Sequence, residues 1–363
     1  MLTSCTQVQN TEGQPVPKTA APQADTIAPQ LASGVAHSCL LTSQGNVLCW
    51  GQNATPGQAI SPDNFGKPFP VEGLDAISLG AGWYHTCAVT REGHVKCWGQ
   101  NTNGQLGDGT TNDSPSPVEV SDLSDVTAVA VGVAHACALT GSGEVYCWGG
   151  NESGQLGDGT TTNRSKPVKV AGLSLPIASL SAGLSYTCAL RVDGLVECWG
   201  DFDFINGEQR HKTEPSPVPI PNLDQNIEKV AAGDYHICIL TNSHEVRCEG
   251  NFFPTNGAPF SKPVESLGEL QGHIVDIVAE TDFTCVLADS GKVYCWGDNY
   301  FDQLGNGTFL SSIEPREVSR AGNEVIALGG GHYTACALSS DGGVACWGDT
   351  SFGQIGDGTV RWK

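Results

Sequence analysis

Cysteine is the residue whose type and spacing carry the clearest chemistry in this chain. Fourteen of the fifteen cysteines form pairs whose members lie ten positions apart. The seven pairs are Cys39–Cys49, Cys87–Cys97, Cys137–Cys147, Cys188–Cys198, Cys238–Cys248, Cys285–Cys295 and Cys336–Cys346. Zinc ligands usually lie closer together in sequence, whereas residues placed symmetrically about a hairpin turn face each other within disulfide reach. The spacing therefore predicts seven cross-strand disulfides and an exported protein, because such bonds persist in oxidising compartments.

The fifteenth cysteine, Cys5, suggests a different modification. It ends the segment Leu2-Thr3-Ser4-Cys5, which is similar to the lipobox of bacterial lipoproteins, where the cysteine is lipidated. We expect a lipid anchor at Cys5 and a bacterial outer membrane lipoprotein, or else an extracellular or periplasmic protein. The alternative is a stray thiol. No apolar run approaches the roughly 20 residues that span a bilayer.

Four histidines occupy one position of a repeat, two residues before the first cysteine of a pair: His37, His85, His135 and His236. A ring of histidines around a channel could bind a metal. The other repeats have Tyr186, Phe283 and Thr334 there, and phenylalanine cannot ligate a metal. A structural role, with each histidine bonded to the backbone of its own unit, is therefore the favoured interpretation.

The recurring loop GQLGDGT, at 104–110 and 154–160, is the other candidate ligand site. Asp beside Gly favours tight turns, while Ca²⁺ needs six or more oxygen ligands and each loop offers one carboxylate. We expect no cofactor, with Ca²⁺ as the alternative. No Ser-His-Asp order, HExxH motif or pair of carboxylates stands out, so the sequence favours a protein that is not an enzyme.

The cysteine pairs also give the period of the fold. Their first members recur every 47 to 51 residues. One unit, Val126–Val170, contains three short runs rich in Val, Ala and Thr, a Gly-rich loop and a fourth run at Pro167–Val170. Such runs predict strands, and four antiparallel strands per unit of about 50 residues predict a propeller blade. The fold class is all-β, a single propeller with seven four-stranded antiparallel blades and one disulfide inside each blade.

We assign 31–363 to the propeller and 1–30 to the lipobox remnant, a tether and a strand that closes the ring. The last repeat has no fourth strand of its own, and Gln14–Lys18 (QPVPK) can supply one from the other end of the chain. This pairing would remove an exposed sheet edge. Val360–Trp362 competes for the same edge, and a disordered segment before residue 31 is the alternative.

The unit Gly132–Thr160 resembles the regulator of chromosome condensation repeat, and the resemblance extends over roughly 31–359. It implies a seven-bladed propeller that binds other proteins. The eukaryotic namesake exchanges nucleotide on a nuclear GTPase and binds chromatin, and secreted bacterial relatives include β-lactamase inhibitory proteins. The net charge of −21 repels nucleic-acid phosphate, so we expect no nucleic-acid partner.

Departures from the repeat indicate where a partner would bind. The loops at 201–212 and 249–260, in neighbouring blades, lose the consensus and carry five phenylalanines, and a glutamate replaces the tryptophan that follows the second cysteine elsewhere. Exposed aromatic residues in a polar surround are typical of interaction patches, although loops also tolerate neutral change. The candidate partner-binding residues are Phe202, Phe204, Glu249, Phe252, Phe253 and Phe260.

The sequence favours an exported protein–protein interaction scaffold, held at the cell envelope by a lipid, with membrane contact only through that anchor. A lectin-like propeller that binds glycans is the alternative, because the recurring tryptophans could form a sugar-binding ring instead of packing between blades. A secreted binder that inhibits an enzyme, or a structural coat or filament component, is a further alternative. The sequence does not identify the protein partner.

Overall fold

The structure is a computed structural model that describes residues 27–52, 66–173, 176–202, 213–220, 226–250, 270, 272–322 and 324–356. Its strands form seven antiparallel sheets in chain order, and the first strands of neighbouring sheets pack against one another in a closed ring. The prediction of a seven-bladed all-β propeller is confirmed. The described part of the chain contains no helix with the length and apolarity to cross a membrane. Cys5, Gln14–Lys18 and Val360–Trp362 lie outside the described residues.

Each blade contributes its strands in order from the axis outward. The first strands are β1 (Gln30–Ser33), β5 (Ala76–Ala81), β9 (Val126–Val131), β13 (Ile177–Ala182), β17 (Ile227–Ala232), β20 (Ile274–Ala279) and β24 (Val325–Gly331). The second strands are β2 (His37–Leu41), β6 (His85–Thr90), β10 (His135–Thr140), β14 (Tyr186–Arg191), β18 (His236–Thr241), β21 (Phe283–Ala288) and β25 (Thr334–Ser339).

In the outer half of each blade, the third strand pairs with the second as a hairpin and the fourth strand forms the outer edge. The third strands are β3 (Val47–Gly51), β7 (Val95–Gly99), β11 (Val145–Gly149), β15 (Val196–Asp201), β19 (Val246–Gly250), β22 (Val293–Gly297) and β26 (Val344–Gly348). The fourth strands are β4 (Phe69–Pro70), β8 (Ser114–Glu119), β12 (Arg164–Lys169), β16 (Thr213–Pro219) and β23 (Ser312–Glu317). In blades five and seven the described residues include three strands.

The core lies between blades rather than inside them. Strand β10 is buried at every position, because sheets cover both of its faces and its sequence HACALT is mostly apolar or small. One cluster joins Val89 and Leu106 of blade two to Ala136 and Trp148 of blade three. A blade therefore cannot bury its apolar surface alone, and the ring is the unit of stability.

All seven predicted disulfides are present, each between the second and third strands of one blade. In blade three Cys137 pairs directly with Cys147 in the strand register, with their Cα atoms 4.1 Å apart. The confirmation follows from hairpin symmetry, because a turn centred five residues from each cysteine places the two opposite each other.

We predict that reduction and alkylation under denaturing conditions will raise the hydrogen count of the intact protein by two for each of the seven bridges, once the alkyl groups are subtracted. Removing one bridge with Cys137→Ala and Cys147→Ala should cost about 3 kcal/mol of unfolding free energy, because the unfolded chain gains freedom. Intact-mass spectrometry and thermal melting are the measurements. A full set of free thiols before reduction would contradict the pairing.

Candidate functional site

The two ends of the propeller differ in the connections they carry. Because the strands of a blade alternate in direction, the turn between the first and second strands lies at the same end as the loop between the third and fourth. We call this end the loop face. The turns between the second and third strands lie at the opposite end, the hairpin face. First strands line an axial channel of about 440 Å³.

The repeated histidines join neighbouring blades. The Nε2 atoms of His37 and His135 lie 2.7 Å from Thr86 Oγ1 and 2.9 Å from Thr187 Oγ1, respectively. His236 makes the same contact with the next blade at 2.8 Å. The histidines are structural, but the expected bond to the backbone of their own blade is wrong for these side chains, which contact the next blade's threonine. None of them lines the axial channel.

Where a blade has another residue at the histidine position, the facing residue of the next blade differs as well. Phe283 and Tyr186 occupy that position where the next blade has Ala335 and Ile237, and the Tyr186 hydroxyl donates instead to the His236 carbonyl oxygen at 2.8 Å. His85 is the exception, because the next blade offers Ala136 and the described residues give its ring nitrogens no partner.

The Gly-rich loops are held by their own hydrogen bonds. In blade two the Asn101 amide donates to the Thr110 and Asn112 carbonyl oxygens, and Asp108 accepts from the Thr110 amide at 2.8 Å. In blade three Asp158 also accepts from Arg164 at 2.8 Å. These carboxylates close turns. Within the described ranges no group of three or more His, Cys, Asp or Glu residues could hold a metal ion.

The recurring tryptophans are buried between blades. The Trp148 indole N–H donates to the Gln105 carbonyl oxygen of the preceding blade's loop at 2.9 Å, and Trp199 and Trp347 repeat the contact. All six tryptophans at this position are at most 3% exposed. They cannot stack on a sugar, so the sugar-binding ring predicted as an alternative is wrong and the packing role is confirmed.

Of the predicted partner-binding residues in blades four and five, Phe202 and Glu249 lie among the described residues. Phe202 is 6% exposed and its ring centroid lies 5.9 Å from that of Tyr186, so its expected exposure is wrong. Glu249 is half-buried, and burial raises its pKa. The remaining phenylalanines lie outside the described residues, and partner binding there stays a prediction: these are Phe204, Phe252, Phe253 and Phe260.

The described residues place a different set of chemical groups together, at the loop-face mouth of the channel. Six blades have a glycine at the end of the first strand: Gly34, Gly82, Gly132, Gly183, Gly233 and Gly331. A Cβ atom at Gly82 would lie 2.3 Å from the Gly132 carbonyl oxygen of the next blade. Blade six has Glu280 instead, and the next blade's Gly330 leaves room for it, because a Cβ there would lie 2.1 Å from Glu280 Oε1.

The residues that follow this position divide the mouth into two halves. Blades one to four present the apolar residues Val35, Trp83, Val133 and Leu184, and blades five to seven present Asp234, Thr281 and His332. The acidic half gains Glu280, Asp282 and Asp298 from the adjoining turn and loop. The mouth is therefore amphipathic, although the repeats that build it are alike.

Burial and mutual repulsion act on the carboxylates of the acidic half. Burial first, then the charges of Asp298 and Asp234, raises the pKa of Asp282 to about 6. Burial and the Asp234 charge raise the pKa of Glu280 well above its usual value. Asp282 Oδ1 is buried and has no hydrogen-bond partner among the described residues. Asp282 Oδ1 therefore lacks a compensating donor in the described part of the chain. Asp298, in contrast, accepts hydrogen bonds from Gln303 Nε2 and Ser311 Oγ at 3.0 and 2.9 Å.

His332 is fixed by two neighbours at a single ring nitrogen. Its Nδ1 lies 2.7 Å from Thr281 Oγ1 and 3.4 Å from Asp234 Oδ2. A catalytic relay needs the hydroxyl and the carboxylate at opposite nitrogens of the imidazole. The trio therefore positions the ring and does not activate the threonine.

An aromatic ridge runs outward from the mouth across the loop face. We define it as Trp83, His332, Tyr333, Phe301 and Tyr300. Successive ring centroids along it lie 5.1, 4.1, 5.0 and 5.0 Å apart. Each step is within the range of favourable aromatic contacts, apart from the slightly closer second one. The outermost member of the ridge as defined, Tyr300, is 63% exposed.

Apolar side chains continue the ridge onto blade six. Phe309, Leu310 and Ile313 are exposed, and the corresponding loop of blade two has the polar residues Thr111 and Asn112 in place of the first two. Sequence reasoning missed both this patch and Glu280. Aligning the inner turns would have revealed Glu280 as the single replacement of a repeated glycine, and aligning the loops would have revealed the apolar pair.

Comparison with known proteins agrees with this architecture. Two profiles described as regulator of chromosome condensation (RCC1) repeat match the chain, the first at 92–139, 142–190 and 290–338. The second matches 30–55, 76–105, 126–155, 227–252, 274–303 and 325–354. The chain belongs to the regulator of chromosome condensation repeat family. Each matched segment of the second profile covers the first three strands of a blade or part of them.

Curated relatives of this RCC1-repeat chain share short segments with it. Human E3 ubiquitin-protein ligase HERC2 is 33% identical over 108 residues, which are 30% of this chain and 2% of HERC2. The Arabidopsis thaliana mitochondrial RCC1 domain-containing protein RUG3 is 35% identical over 80 residues, or 22% of this chain and 18% of RUG3. The matched segments thus span a small part of these relatives.

Solved structures share the fold of this RCC1-repeat propeller. Human WBSCR16 superposes with a TM-score of 0.73 at 20% identity, covering 87% of this chain and 92% of WBSCR16. Prp20p of Saccharomyces cerevisiae, which binds Gsp1p and histones, gives 0.71 at 20% identity, covering 86% and 83%. Prp20 bound to Kap60 gives the same TM-score at 19% identity, covering 96% and 88%.

We predict that Thr86→Ala will destabilise the propeller by about 1–3 kcal/mol, because His37 Nε2 loses its buried partner. The double variant His37→Phe/Thr86→Ala should recover most of the loss, since it copies the Phe283 and Ala335 pair. Thermal melting of single and double variants measures the coupling, with the exposed Thr111→Ala as control. Additive losses in the double variant would contradict the interblade pairing.

Stability should fall as the pH falls from about 6.5 to 4. Burial lowers the pKa of His37, His135 and His236 to about 4 and that of His85 to about 3. The unfolded chain therefore takes up protons first, which costs up to about 1.4 kcal/mol per pH unit and histidine. Asp282 opposes this trend, because its pKa is raised.

Melting temperatures measured between pH 7.5 and 4.5 test this dependence. The pair variant His37→Phe/Thr86→Ala should reduce the slope by roughly one histidine's share. A pair variant with the same slope as the wild type would contradict a lowered pKa for His37.

Proposed function

We propose that this protein is an exported scaffold that binds a partner protein through the loop face of blades five to seven. The observation that carries the proposal is the aromatic ridge, continued by exposed apolar side chains on blade six. Interfaces are rich in aromatic anchors, whereas isolated exposed apolar residues need no explanation. The likeness to Prp20p, which binds Gsp1p, histones and Kap60, supports a protein-binding role for this fold.

Export and anchoring form the second part of the proposal. Seven disulfides in one chain are best maintained in an oxidising compartment, and the resemblance of Leu2–Cys5 to a lipobox suggests lipidation at Cys5. The lipid, with a second contact, would hold the propeller near a membrane surface. A bacterial envelope is the proposed location.

The anchoring is tested by growing producing cells with an alkyne-bearing fatty acid. The chain expressed behind a bacterial lipoprotein signal sequence should carry the label, and Cys5→Ser should not. Equal labelling of the two proteins, or none in either, would overturn the lipid anchor while leaving protein binding intact.

Site-specific photo-crosslinking tests the binding face. A benzoylphenylalanine placed at Tyr300 should yield a defined adduct with a partner protein in intact envelopes. The matched control is Val192, which is 60% exposed on the hairpin face of blade four. The same adducts from both positions, or none from Tyr300, would overturn the assignment of the face.

The energetic weight of the patch can be measured on the same adduct. Tyr300→Ala combined with Leu310→Ala should reduce recovery of the partner about ten-fold or more, because central apolar anchors dominate binding energy. Both side chains are exposed, so the variant should melt close to the wild type. Undiminished recovery would show that the patch is not the anchor.

A further inference from the structure

The mouth of the axial channel concentrates carboxylates, and His332, 3.4 Å from Asp234 Oδ2, is the described side chain beside them that can carry a positive charge. Asp234, Glu280, Asp282 and Asp298 meet there: the charge of Asp234 acts on both Glu280 and Asp282, and that of Asp298 acts on Asp282. None of the ion pairs formed by the described residues joins one of these four carboxylates to a lysine or arginine. Lys229, deeper in the channel, pairs with Asp276.

Burial of these carboxylates is unfavourable, and a nearby cation would reduce the penalty. Asp282 Oδ1 is buried without a donor, and burying a carboxylate that lacks a partner is unfavourable. The raised pKa values express the same penalty. A cation beside these carboxylates would favour their charged form.

Aromatic rings adjoin the carboxylates at the mouth. Trp83 reaches from blade two over blade one to the ring of His332, and Tyr333 follows at 4.1 Å. Aromatic faces attract cations, tryptophan most strongly. A planar guanidinium can stack on such a ring and donate several hydrogen bonds to carboxylates at its edge, which a compact ammonium does less well.

We infer that the channel mouth binds an arginine side chain presented by the partner protein, which stacks on the ring of Trp83 and pairs with the adjoining carboxylates of Asp234, Glu280 and Asp282. This inference rests on the proposed protein-binding function and specifies its chemistry. The apolar half of the mouth, with Val35, Val133 and Leu184, accommodates the residues that flank the arginine. Charge complementarity with the net charge of −21 favours a basic partner segment over an acidic one.

A divalent cation fits the mouth less well. Ca²⁺ needs six or more oxygens in one sphere, and the described residues hold no group of three or more ligands with that geometry. The aromatic rings would also be without a role. Binding of Ca²⁺ is therefore an outcome of the test that would contradict the inference.

The test uses the intact chain, labelled with ¹⁵N, and the peptide acetyl-Gly-Gly-Arg-Gly-Gly-amide. Its citrulline counterpart keeps the shape and loses the charge. The indole N–H signal of Trp83, assigned with Trp83→Phe, should shift saturably with the arginine peptide at millimolar concentration. The citrulline peptide should bind at least ten-fold more weakly. Equal binding of the two peptides, or an equal shift with CaCl₂ alone, would overturn the inference.

Matched variants separate the site from the overall charge. Asp282→Asn should weaken the arginine peptide about ten-fold and should fold, because it removes a buried charge and keeps the side-chain shape. Glu152→Gln removes the same charge from an exposed position on the loop face of blade three and should leave affinity unchanged. Equal weakening by both variants would reduce the effect to net charge and overturn the site.

The two proposals fail separately. If the arginine peptide does not bind while Tyr300 still crosslinks to a partner, the arginine site is wrong and the scaffold function stands. If the peptide binds and weakens with Asp282→Asn but no adduct forms at Tyr300, the site stands and the proposed binding face is wrong.

Discussion

Near the propeller axis, a carbonyl oxygen of one blade occupies the space that a Cβ atom would need on its neighbour. Gly34, for example, would place a Cβ atom 2.1 Å from the Gly82 carbonyl oxygen. This close approach sets how tightly the first strands converge. The outward packing of buried second strands, the interblade clusters and the seating of the described loops of blades two, three, six and seven on the next blade's tryptophan all depend on that spacing. The disulfides then fasten each hairpin within a geometry that the glycines permit.

Glu280 shows what happens where the constraint is relaxed. Its side chain enters the channel mouth over Gly330 of the next blade, in the same sector that carries Asp234 and His332. Most inner turns thus follow the repeat, whereas those of blades five to seven carry residues that depart from it. Exceptions at the axis create an environment that the repeat itself does not contain, with desolvated carboxylates facing aromatic rings. The framework stays regular because the exceptions occupy turns and not strands.

The cysteine spacing predicted the blades and their disulfides because both partners of each bond lie in one hairpin, where sequence distance fixes spatial distance. Contacts between blades were beyond such reasoning. His37 and Thr86 lie 49 positions apart, and no local pattern identifies them as partners. Phe202 was expected at the surface because its loop is irregular, yet a loop's composition does not say which ring turns inward. The acidic mouth was missed because its four carboxylates come from two inner turns and one loop that are distant in sequence.

The contacts between second strands have a consequence for the order of the blades. A histidine fits beside a hydroxyl of the next blade, whereas Phe283 fits beside Ala335. These matched pairs vary around the ring, so the blades that form them complement the neighbour that follows in the chain, with His85 of blade two as the exception. A blade transplanted to another place would meet an unsuited surface. Blades with similar sequences are therefore suited to particular positions in the ring. Side-chain contacts between neighbours, as well as the order of the chain, determine which blade follows which.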